Sequence, residues 1–115
     1  MECIQYIERF YENMNVNCSI VVCETPHELD TYVRLLEGRC FTCVFLNTQH
    51  QQSYANHVIM TLPKQFQSQE FWDILAESET SIDCVFFSNM KVSEQCVTPS
   101  LKNLLEGKRY FLITL

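Results

Sequence analysis

Apolar residues Cys3, Ile7, Phe10 and Met14, with Ile4 and Tyr11 beside them, recur at three-to-four spacing from the start of the chain. That is the period of an amphipathic helix. The run from Cys18 to Cys23 that follows holds Ser19-Ile20-Val21-Val22 and has no polar face, which predicts a strand covered on both sides. In Thr25-Pro26-His27-Glu28, Thr25 stands where an N-cap hydroxyl accepts from the first unpaired amides. Pro26 suits the first helical position, and Glu28 can reach back as the capping-box partner. A helix therefore starts near Pro26. Leu29, Tyr32, Val33 and Leu36 form its buried stripe, and Gly38 falls where a left-handed residue would stop it. From Arg39 the chain returns to strand, through Leu46.

The second half reads as a strand from His57 to Leu62, a helix capped by Ser68 with Phe71, Trp72, Ile74 and Leu75 as its apolar members, and a strand from Ile82 to Phe87. Thr98-Pro99, Leu101, Leu104, Leu105 and Glu106-Gly107-Lys108 then repeat the punctuation of the first capped helix, before a final apolar run, Tyr110-Phe111-Leu112-Ile113. Thr-Pro starts and Gly stops are common solutions for bounding a helix, so no duplication is inferred. A helix followed by alternating strands and helices predicts an α/β fold, a mainly parallel sheet of about four to five strands with helices packed on it. The competing arrangement is a two-layer α+β fold with one antiparallel edge strand. At 115 residues the chain fits one compact domain. It opens in a helix and closes in an apolar strand with no polar tail, as a segment excised from a longer protein would.

Composition supports one core. Hydrophobic residues make up 47% of the chain, including eight Phe, five Tyr and one Trp, while charged residues at 19% are too few for disorder. No metal or disulfide is needed for folding. The seven cysteines are odd in number and lie mostly inside apolar runs, where a thiol acts as a small hydrophobe. That pattern fits a reducing compartment. A formal net charge of −6 repels phosphate backbones and anionic lipid, which argues against nucleic-acid and membrane partners. Neither a bilayer-length apolar segment nor a signal-peptide pattern is present. The expected location is cytoplasmic or nuclear.

In an open α/β sheet, ligands gather at the carboxyl ends of the strands. Those positions hold Glu24 and Thr25, then Asn47, Thr48 and His50, then Pro63 to Gln67, then Ser88 to Val92. Phosphate-cradling loops need glycines for close backbone approach. Gly38 and Gly107, the only two, are both assigned to helix ends, so no nucleotide or other cofactor is expected. Cys40-x-x-Cys43 has the spacing of a redox dithiol or half a zinc knuckle. Yet it leads into Val44-Phe45-Leu46 instead of opening a helix, and residues three apart on a strand face opposite sides. His27, His50 and His57 are the only histidines; Glu24 with His27 is the nearest base-and-carboxylate pairing, but no nucleophile turn accompanies it.

Two connections carry apolar residues that a solvated loop does not need: Phe66 between Pro63 and Gln67, and Met90 and Val92 between Ser88 and Cys96. On a parallel sheet both emerge at one rim, and an exposed aromatic beside a thioether suits the core of an interface. The polar segment from Asn47 to Asn56 adds Tyr54. The sequence thus predicts a non-catalytic protein-interaction domain binding a protein partner through Phe66, Met90, Val92 and Tyr54, with self-association left open. The alternative is a small hydrolase-type enzyme with its site near Glu24, His27 and His50. RNA recognition by a small α/β module, a third reading, is opposed by the charge.

Overall fold

The computed structural model describes residues 2–46, 54, 56–105 and 110–115. In chain order the elements are α1 (Glu2–Met14), β1 (Ser19–Val22), α2 (Pro26–Glu37), β2 (Cys43–Val44), β3 (Val58–Thr61), α3 (Pro63–Phe66), α4 (Gln69–Glu77), β4 (Cys84–Phe87), α5 (Met90–Cys96), α6 (Pro99–Leu104) and β5 (Phe111–Thr114). The five strands form one sheet in the order β2-β3-β1-β4-β5, and every neighbouring pair is parallel. This is the expected α/β fold. The antiparallel edge is set aside, since β2 and β5, the two edge strands, both run with their neighbours.

Strand alternation divides the core into two layers. Ile20, Val22, Ile59, Val85 and Phe87 face Phe66, Phe71, Trp72, Ile74, Leu75, Val92 and Cys96 of α3, α4 and α5. Val21, Val58, Met60, Cys84 and Phe86 face Ile4, Ile7, Tyr32 and Leu36 of α1 and α2. The helix carrying the step from β1 to β2 therefore covers one face. Those carrying the steps from β3 to β4 and from β4 to β5 cover the other, as right-handed crossovers running in opposite directions along a sheet require. A hydrogen bond between the Tyr11 hydroxyl and Ser19 Oγ ties α1 to the start of β1.

The helix starts follow the sequence closely. Thr25 Oγ1 accepts from the Glu28 amide at 3.1 Å, and the Glu28 carboxylate accepts from the Glu24 amide at 2.8 Å, one residue before the cap itself. Ser68 and Thr98 cap α4 and α6 in the same way, accepting from Phe71 and Leu101, each at 3.3 Å. The end of α2 differs from expectation. Gly38 keeps a right-handed φ of −64°, and the left-handed residue is Cys40, at φ 69°. β2 is only the two residues Cys43 and Val44, shorter than the expected Arg39-to-Leu46 strand. Gly107, the second expected stop, lies outside the described residues. Among the described residues no helix is long and apolar enough to cross a membrane.

Candidate functional site

The expected contact rim is largely core. The segments around Phe66 and Val92 are not loops but the helices α3 and α5, which turn both side chains onto the sheet. Phe66 has no accessible surface and is ringed by Phe71, Trp72 and Phe87 at centroid distances of 5.8, 5.3 and 5.8 Å. Val92 is equally buried, and its amide donates to the Asn89 side chain that caps α5, at 2.9 Å. Tyr54 is buried too, its amide donating to Thr80 Oγ1 at 2.8 Å. Of the four residues expected to bind a partner only Met90, 60% exposed, remains open to water. The signals for these helices were present in the sequence: Pro63 at a first helical position, and Asn89 three residues before Val92.

At the centre of the sheet the connection after β1 leaves toward one face while those after β3 and β4 leave toward the other, which places Glu24 at the point where the winding reverses. One Glu24 oxygen accepts from Asn89 Nδ2 at 3.4 Å and the other lies 3.5 Å from Lys91 Nζ. Its contacts thus come from the β4–α5 junction. His27 sits exposed on the first turn of α2, and His50 lies outside the described residues. Ser88 Oγ, beside this junction, is buried and has no hydrogen-bond partner among the described residues.

Five of the seven thiols are held protonated by burial. Burial pushes Cys18, Cys23 and Cys84 up to about 12 from an ordinary value of 9, with Asp83 adding to the effect at Cys18 and Cys84. Cys43 and Cys96 rise to about 11, chiefly by burial. Cys40 is exposed and, like the other six, free. It sits in the turn after α2 whereas Cys43 is in β2, so the pair does not open a helix as a redox dithiol does. Among the described residues no three His, Cys, Asp or Glu side chains converge to hold a metal.

A different surface combines exposure, aromatic contact and open backbone. β5 is at the sheet edge, and Phe111 and Leu112, which point to opposite faces, are 54% and 43% exposed. Phe10 of α1 packs edge-on against Phe111 at 6.0 Å and against the core residue Phe86 at 5.5 Å. Tyr6, half exposed, stacks on Phe10 at 6.4 Å. An aromatic path thus runs from the core to water. Beside it, Glu2, Cys3, Tyr6, Thr114 and Leu115 line a groove of about 310 Å³.

The backbone of β5 is equally specific. The Phe111 amide donates to Asp83 at 3.2 Å and the Leu115 amide to Phe87 at 2.9 Å. Parallel pairing turns alternate residues to alternate neighbours, so Leu112 and Thr114 present their N–H and C=O groups to the open side. No charged residue or proline lies between Tyr110 and Leu115. Edge strands are ordinarily blunted by such residues. The sequence did not mark this strand as exposed, because its apolar run resembles those of the buried strands. No family model matches the chain, and no curated protein or solved structure matches it.

Proposed function

We propose that this chain is a non-catalytic protein-interaction domain whose contact surface is formed by α1 and the open edge of β5. The observation that carries this reading is an uncharged edge strand with Phe111 and Leu112 exposed on its two faces and, among the described residues, no second strand beside the outward-facing backbone groups of Leu112 and Thr114. An added strand would satisfy those groups, and flanking apolar side chains supply the desolvated centre that stable interfaces use. Tyr6 and Phe111 give that centre two aromatic anchors. Met90 stands apart, beyond β4 at the carboxyl ends of the strands.

The test is site-specific photo-crosslinking in cells, with the crosslinking residue placed at Tyr6 or, as a control, at exposed Glu70 of α4. Protein adducts are expected from Tyr6 and not from Glu70. Equal yields at both positions, or none from Tyr6, would overturn the assignment.

A further inference from the structure

We infer that the occupant of this face is a second copy of the same chain, its β5 pairing antiparallel with β5 of the first about a two-fold axis normal to the sheet. This rests on the interaction reading above and adds the identity of the partner. With the axis at Ile113, Leu112 of each copy stands opposite Thr114 of the other. These are the residues whose amides and carbonyls face outward, because Phe111 and Leu115 already bond to β4. Each opposed pair exchanges two hydrogen bonds, so a strand of four residues gives four bonds across the axis.

The same register is self-complementary in its side chains. Directly opposed residues share a face, which sets Phe111 of one copy against Leu115 of the other on the α1 side, and Leu112 against the Thr114 methyl on the opposite side. The three exposed positions, Phe111, Leu112 and Thr114, thereby meet apolar surface.

Charge on α1 points the same way. Phe10 lies against Phe111, at the start of β5, while Glu2, Cys3 and Tyr6 lie with Thr114 and Leu115 at its end, so α1 runs antiparallel to the strand. Glu2, Tyr6 and Arg9 recur at i, i+4 and i+7, one stripe of the helix. A two-fold axis near Tyr6 brings the acidic end of each stripe toward the basic end of the other. Glu2 and Arg9 are exposed, and neither side chain forms an ion pair or hydrogen bond among the described residues. The net charge of −6 per chain opposes association only weakly at physiological salt, where the Debye length is about 8 Å.

Sedimentation equilibrium of the full chain from about 1 to 500 µM tests this, with circular dichroism confirming that each variant is folded. The wild type is expected to pass from monomer to dimer over that range. Leu112→Lys, at an exposed edge position, is expected to weaken the dimer a hundredfold or more. Glu2→Arg and Arg9→Glu are each expected to weaken it about tenfold, through two symmetric sites, and the double variant to recover most of the loss. A wild type that stays monomeric at 500 µM, a dimer indifferent to Leu112→Lys, or charge reversals that fail to compensate would each overturn the assignment. A monomer that still gives Tyr6 crosslinks to other proteins removes the second copy and leaves the interaction face; a monomer without crosslinks removes both.

Discussion

Replacing Phe66 by Ala separates a core residue from an interface residue at the point where the two readings diverge most. The side chain has no accessible surface and touches three other rings. Truncating a buried Phe costs about 3–5 kcal/mol, and each well-oriented aromatic pair adds about 0.5–1.5 kcal/mol beyond area burial, so the upper part of that range is expected. With a urea m-value of about 1.5 kcal/mol/M for a chain of this size, the midpoint should fall by about 3 M. Met90→Ser, at a position 60% exposed, should shift it by no more than about 0.3 M, since substitutions at open sites stay within about 0.5 kcal/mol. The reporter is intrinsic: Trp72, the single tryptophan, is 4% exposed and donates through Nε1 to the Phe66 carbonyl at 2.8 Å, so its emission reddens on unfolding. A Phe66→Ala midpoint within 0.5 M of wild type (about 0.75 kcal/mol at that m-value) would refute the placement of α3 on the sheet.

Thr25→Ala removes the oxygen that accepts the Glu28 amide and should cost about 1 kcal/mol, read as a urea midpoint shift, whereas Thr25→Ser should restore nearly all of it. Alkaline pH should destabilise the fold. Cys18, Cys23 and Cys84 keep their protons to about 12 when native, but their unfolded thiols lose them near 9. The native state therefore binds more protons between those values, and stability falls by up to about 1.4 kcal/mol per pH unit per thiol. Urea midpoints should be flat below pH 9 and decline above it; a flat profile to pH 11 would contradict the burial of these groups. A thiol-reactive chromophore at pH 8 should label exposed Cys40 rapidly and leave Cys18, Cys23, Cys84 and Cys96 unmodified until denaturant is added, a difference that stopped-flow absorbance resolves directly.

The elements most legible in the sequence were those whose signal is local. Thr25, Ser68 and Thr98 each accept from the amide three residues on, and that geometry needs nothing beyond the helix itself. The three apolar runs that became β1, β3 and β4 are buried at every position, as runs without a polar face demand in a parallel sheet. The failures were of another kind. α3 and α5 are four and seven residues long, too short for a helical period to register against their polar neighbours, so Phe66 and Val92 read as loop residues. Residue type alone points to Gly38 for the left-handed position, but the turn after α2 continues two residues further and puts that conformation on Cys40.

β5 shows why an apolar run cannot by itself report whether it is buried. Phe111-Leu112-Ile113 and Cys84-Val85-Phe86 are both apolar and lie side by side in register, yet Cys84, Val85 and Phe86 have no exposure whereas Phe111 and Leu112 are each around half open. The difference comes from strand order. β4 has a neighbour on either side, and its faces are covered by residues from α1 and from α3 to α5; among the described residues β5 has one neighbour, and Phe10 packs edge-on against its first residue, which stays 54% exposed. Order in turn is set by the direction of each crossover. Connection handedness constrains the face on which a helix lies but not how many strands the chain steps past. The position that makes β5 the candidate contact strand is therefore a property of the whole sheet. A lysine at Val85 would have to be buried in the core, while a lysine at Leu112, a position 43% exposed in the monomer, can carry its ammonium to water, so its effect on association reads the edge more than the fold.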